Sequence, residues 1–136
     1  MKNMIRVAVA VIQRRDQILI AKRPQHLHKG GYWEFPGGKQ EEGEQAEQAL
    51  IRECLEELAI IPAKYSPLIQ IEHHYPEKSV VLDVWTVTDY LGVPKGAEGQ
   101  PLLWCPIKDL GDYKFPEANL AILSAIQAEA KKAQIL

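Results

Sequence analysis

Apolar residues change their spacing several times along this chain. Residues 4–12 are apolar apart from Arg6 and rich in β-branched side chains, which predicts a strand buried on both faces. A polar turn at 13–17 leads into 18–21, the second strand of a hairpin. Residues 24–31 read as a loop closed by Gly30-Gly31, and 32–35 as a short strand that stops at Pro36-Gly37-Gly38. The period then becomes helical. Leu50, Ile51, Cys54, Leu55 and Leu58 share an inward arc of a helix running from about 44 to 58, with Pro62 just past its end. Residues 64–75 and 79–90 form a second hairpin around Pro76-Glu77-Lys78. A glycine-containing loop at 91–100, a strand at 102–107 and an amphipathic helix at 117–134 complete the order β-β-β-α-β-β-β-α. That order predicts an α+β fold with a mixed sheet between two helices.

The polar side of the first helix carries the chemistry. At about 100° per residue, Glu53, Glu56 and Glu57 fall on one face, roughly opposite the apolar arc. Like charges at these spacings cost about 0.2–0.5 kcal/mol per pair, so a positive partner is expected there. Three hard oxygen donors suit Mg²⁺ or Mn²⁺. A divalent metal beside a glycine loop points to phosphate chemistry. Ala46 and Ala49 lie on the carboxylate side and let that loop approach, while Arg52 is spaced to hold Glu56 in place. The plainer alternative is a solvated acidic face, the usual state of a charge-rich helix side.

Composition narrows the partner. The chain has 136 residues, 46% hydrophobic and 25% charged, as expected of one globular domain spanning 1–136. Its net charge of −2 provides no basic field for a polynucleotide and leaves a mononucleotide as the expected ligand. Cys54 and Cys105 show no zinc spacing and read as buried thiols in a reducing cytoplasm. Ala8-Val9-Ala10 looks like a leader cleavage site, but the apolar run before it is short and broken by Arg6. Neither a secretory signal nor a membrane span is expected.

Gly38-x5-Glu44-x7-Arg52-Glu53-Cys54-x-Glu56-Glu57-x-Ala59-Ile60 resembles the box of Nudix hydrolases, G-x5-E-x7-R-E-U-x-E-E-x-G-U with U a bulky aliphatic residue. Every charged position of this 38–60 segment matches. Cys54 replaces a larger apolar residue, and Ala59 replaces a glycine that favours a left-handed cap. Alanine there predicts a helix end without positive φ. Glu34-Phe35-Pro36-Gly37-Gly38-Lys39, Glu98-Gly99-Gln100-Pro101 and Phe115-Pro116-x-Ala118-Asn119 resemble the MutT branch, the 8-oxo-dGTP diphosphatases.

The resemblance implies a Nudix fold and a nucleoside triphosphate substrate, cleaved by water attack at the β-phosphorus to a monophosphate and pyrophosphate. It adds the Gly38 carbonyl and Glu98 to Glu53, Glu56 and Glu57 as metal ligands. Glu53 is the first choice for general base, with Glu98 and Glu44 as rivals and Arg52 placed beside them. Arg23 and Lys39 are implied phosphate contacts, and His28 a sugar-phosphate contact. As ordinary surface residues Lys39 and His28 would carry no such role. Phe35, Tyr75 and Val80 are expected walls of a base pocket, with Lys78 at its rim. His73 and His74 point to opposite faces of a strand and cannot share a metal. Trp33, Trp85 and Trp104 are assigned to packing.

Asn119 is the expected specificity residue. Guanine presents two acceptors, O6 and N7, on one edge. The 8-oxo form carries a hydrogen on N7, and a carboxamide matches that acceptor-donor pair. The competing assignment is a helix N-cap. The chain is expected to act as a monomer. Two other functions stand beside this one: the same chemistry on CTP or dihydroneopterin triphosphate, and a nucleotide-binding module without catalysis. The retained carboxylates speak against the second.

Overall fold

The computed structural model describes residues 3–27 and 30–134. Its centre is strand β1 (Asn3–Arg14), which pairs parallel with β6 (Lys78–Leu91) along the register Asn3↔Lys78 to Ile12↔Val87. At its far end β1 turns into β2 (Gln17–Lys22), which pairs with β3 (Trp33–Glu34) and β7 (Leu102–Pro106). Strand β5 (Ile61–His74) closes the other edge against β6. One parallel pairing among antiparallel ones makes the sheet mixed, as expected.

Alternation along β1 builds two cores. Val9 and Val11 point to one face, where they pack with Ile18, Ile20, Leu82 and Val84 against Ile122 and Ile126 of α2 (Leu120–Lys132). Ala8, Ala10 and Ile12 point to the other, against Ala49, Leu50, Cys54 and Leu58 of α1 (Ala46–Leu58). The sheet is thus sandwiched between the two helices. Both cysteines are buried free thiols. Trp33 packs against the first core, and Trp85 and Trp104 against the second.

Several local expectations are corrected. The chain does not stop at the glycines after Phe35. Gly37–Lys39 forms an added strand, β4, antiparallel to β1 from Val7↔Lys39 to Val9↔Gly37. Gly37 has φ +154°, and a Cβ there would run into the Ala8 carbonyl oxygen, so only glycine permits this approach. Strand β5 begins at Ile61 and contains Pro62 and Pro67, which an edge strand tolerates because its outer donors need no partner. Helix α1 begins at Ala46, after Gly43 with φ +78°. Residues 117–119 form a 3₁₀ turn ahead of α2.

The buried face of α1 is also rotated from its expected position. Ala49 is fully buried while Leu55 is 51% exposed. At about 100° per residue Glu57 falls within about 20° of Leu50, so it borders the apolar arc instead of opposing it. Ala59 has φ 59° and ψ 34°, the left-handed conformation of a glycine cap, contrary to the geometry expected for alanine. Its N–H donates to the Leu55 carbonyl at 3.0 Å, and that bond holds the turn against the Cβ penalty.

Candidate active site

Arg52 stands at the centre of the acidic cluster. Its Nε and Nη2 donate to both oxygens of Glu44, at 2.8 and 3.0 Å. Nη1 donates to Glu53 at 2.9 Å and to Glu56 at 3.3 Å, and Nη2 also reaches the Lys39 carbonyl at 2.9 Å. A planar guanidinium can satisfy this many acceptors where a lysine could not. The expected Arg52–Glu56 pair is present within the larger set. The Arg52 hydrogen bond, helped by the Glu41 N–H, draws the Glu44 carboxyl down to about 2. Glu44 in turn raises the Arg52 pKa, so the pair is ionised throughout the neutral range.

The glycine loop meets α1 at two points. The Gly37 N–H donates to Glu57 Oε2 at 3.2 Å. A Cβ on Gly38 would overlap the Glu53 carboxyl group, so this side chain lies directly on the Gly38 backbone. Burial pushes the Glu57 carboxyl up to about 8; the Gly37 N–H opposes the shift, and the charges of Glu53, Glu98 and Glu34 add to it.

Glu57 opens onto a cleft of about 600 Å³ that is also lined by Arg23, Glu34, Glu98 and Gln100. Arg23 Nη1 pairs with Glu34 at 2.8 Å in the lining of this cleft. Glu34 and Gln100 carry no role in the sequence reading. Both lie inside motifs quoted there, Glu34-Phe35-Pro36 and Glu98-Gly99-Gln100, which was the available signal. His26 also lines the cleft, while His28 lies outside the described residues.

The carboxylates offer hard oxygen donors, crowded and partly desolvated, and that environment fits a divalent cation. Among the described residues, however, no three His, Cys, Asp or Glu side chains converge into a ready cage. Glu53 and Glu56 are engaged by Arg52, Glu57 by Gly37, and Glu98 sits exposed on a separate loop. Each of these bonds to Glu53, Glu56 and Glu57 takes one carboxylate oxygen, so the second oxygen of each is the donor a cation would use.

The expected base-pocket residues divide into three kinds. Phe35 is buried, stacked on Phe115 at 5.1 Å, and belongs to the core more than to an open wall. Val80 and Ala118 pack against the same cluster, which draws the segments around residues 35, 80 and 118 together. Lys78 lies by Tyr75 at the β5–β6 turn, with Nζ 5.5 Å from the ring centre. Lys39 is exposed on β4. Asn119 occupies the N-cap position of α2, yet its side chain makes no capping hydrogen bond. The His73 ring packs on Tyr75, while His74 Nδ1 meets Ser79 Oγ at 2.9 Å, so the two histidines serve different neighbours.

Residues 7–125 match the NUDIX domain. The chain belongs to the Nudix family. Among its Nudix relatives, the 8-oxo-dGTP diphosphatase of Escherichia coli K12 is 36% identical over 90% of this chain and 96% of its own length. The CTP pyrophosphohydrolase of the same organism is 35% identical over 93% of each chain. A solved MutT structure, from work on the Aliivibrio salmonicida and Vibrio cholerae proteins, superposes with a TM-score of 0.84 at 37% identity. It covers 93% of this chain and 99% of that one. The protein is therefore a Nudix hydrolase of the pyrophosphohydrolase type, with the α+β Nudix fold expected from its box. Nudix hydrolases generally use a divalent metal, in keeping with the donor set on α1.

Proposed function

We propose that this Nudix hydrolase cleaves 8-oxo-dGTP to the monophosphate and pyrophosphate, by water attack at the β-phosphorus, and so keeps the oxidised base out of DNA. The observation that carries the reading is Asn119. Its carboxamide stands at a helix N-cap without capping, one residue after Ala118, which packs against the cluster holding Phe35, Val80 and Phe115. A side chain spared from its local partner is available to a ligand. Its donor-acceptor pair complements the O6 and N7–H of 8-oxoguanine, whereas guanine would leave the amide oxygen facing a bare N7.

In this reading Glu53, Glu56, Glu57, Glu98 and the Gly38 carbonyl would hold Mg²⁺, with Mn²⁺ as a substitute. The cation, when bound, neutralises phosphate charge and acidifies a coordinated water. The chain's own part is to place the groups around it. Gly37 N–H orients Glu57, Arg52 orients Glu44, Glu53 and Glu56, and Arg23 brings a guanidinium to the cleft for the phosphate tail. Lys39, Lys78 and His28 are the outer contacts. Glu53 is the proposed general base, with Glu98 and Glu44 as alternatives. We take the unit to be a single domain over 1–136, acting as a cytoplasmic monomer. No described helix is long and apolar enough to cross a membrane.

The CTP relative favours a second reading, a cytosine nucleotide in the same pocket. One panel separates them: pyrophosphate release from 8-oxo-dGTP, dGTP and CTP by the wild type and Asn119→Ala. Leaving an acceptor unpaired costs about 1–3 kcal/mol, so the variant should narrow the 8-oxo-dGTP to dGTP ratio in kcat/KM by about 10-fold. An unchanged ratio would return Asn119 to the helix end, and faster turnover of CTP would favour the cytosine reading.

A further inference from the structure

Helix α1 ends in carbonyls that its own N–H groups cannot reach, and the loop carrying Glu98 supplies their partners. The Ala97 N–H donates to the Glu57 carbonyl at 3.0 Å, and the Lys95 N–H to the Leu58 carbonyl at 3.0 Å. Gln100 adds a bond from each end of its amide. Nε2 donates to the Glu57 carbonyl at 2.9 Å, and Oε1 accepts from the Glu98 N–H at 2.9 Å. The Gly99 N–H closes the turn onto the Gly96 carbonyl at 2.9 Å. A Cβ at Gly96 would strike the Gln100 carbonyl oxygen, so the turn is tight around this residue.

We infer that Gln100 is a positioning residue for hydrolysis: its carboxamide couples the Glu57 backbone to the Glu98 backbone and so sets the Glu98 carboxylate against the carboxylates of α1. The inference rests on the proposed role of Glu98 at the site. Glu98 is exposed, on a loop distant in sequence from α1. Its two flanking turns are anchored to the helix by Ala97 and by Gln100, and the second anchor is a side chain. Glutamine has the reach and the paired donor and acceptor to make both bonds at once. A residue that lacked either would leave the loop attached through Lys95 and Ala97 but would free Glu98 to wander. Groups that orient the ligands of a metal site typically contribute 10- to 100-fold to its activity.

The test is a double-mutant cycle between Gln100→Met and Glu98→Gln in full-length protein with Mg²⁺, read as separate kcat and KM values for nucleotide hydrolysis. Gln100→Met should lower kcat by about 10- to 100-fold with KM within about twofold, and should cost nothing further in the Glu98→Gln background. Retained kcat in Gln100→Met, or losses that multiply in the double variant, would overturn the inference. Full activity of Glu98→Gln would instead remove Glu98 from the site, and the inference with it. Thermal unfolding of each variant checks the fold. Should Gln100→Met unfold, Gln100→Asn, too short to span both partners, should give the same pattern, and wild-type kcat in that variant would overturn the proposal.

Discussion

Ala59 and Gly38 show how much depends on single Cβ atoms. Ala59 adopts φ 59° at the end of α1, a conformation that costs a non-glycine residue about 1–2 kcal/mol. Replacing it by glycine removes that strain but loosens the unfolded chain, by about 0.5–1 kcal/mol. Ala59→Gly should therefore raise stability by about 0.5–1 kcal/mol, read from urea unfolding midpoints, with turnover unchanged. Gly38 makes the opposite case. A Cβ there meets the far end of the Glu53 side chain, which can swing aside at little cost to the fold. Gly38→Ala should keep its unfolding midpoint and lose about 100-fold in kcat, because a displaced carboxylate near the reacting centre is costly. Retained activity would separate Glu53 from the chemistry.

At the scale of elements, the segment before α1 is tied to the helix by charge. Glu44 precedes the helix and is locked to Arg52 in its second turn. The Glu44 carboxyl is drawn from 4.5 to about 2, so its contribution to stability is complete above pH 4.5 and is lost as pH falls toward 2. Glu44→Gln should be less stable than wild type at pH 7, with the gap closing as pH approaches 2. Urea midpoints of both proteins at pH 7, 4 and 2.5 check the sign. A gap that stays constant with pH would mean that the Glu44 charge is not what joins loop to helix. The placement of Arg52 four residues before Glu56 was legible in the sequence, because helix spacing is local. Its bonds to Glu44 and the Lys39 carbonyl were not, since they depend on how the glycine loop folds back on α1.

Across the whole molecule, β1 carries both cores and also the pairing partner of the glycine loop. Ala8 and Ala10 on its α1 face are almost fully buried against Ala49 and Leu50. Small side chains on both surfaces allow the helix to lie close to the sheet, which sets the height of Glu53 and Glu57 over Gly37 and Gly38. Ala10→Leu should overpack this layer, lower stability by about 1–3 kcal/mol and reduce kcat even though residue 10 touches no substrate group. A fall in stability with kcat intact would show that the site tolerates a lifted helix.

The sequence by itself determined the family, the buried central strand and the helix that carries the carboxylates. The family follows from the match of residues 38–60 to the Nudix box, and the strand and helix from spacing along one strand or a few turns, where backbone geometry places side chains without reference to the rest of the chain. It also marked Glu98 and Asn119 through short motifs. The tertiary structure decided what those residues face. It rotated α1 so that Ala49 and Glu57 border the core while Leu55 is exposed. It added β4 across β1, forced Ala59 into a left-handed turn, brought Glu98 to Glu57 through Gln100, and left Asn119 without a capping bond. These outcomes depend on the packing of α1, the sheet and two distant loops together, and no local period encodes that packing.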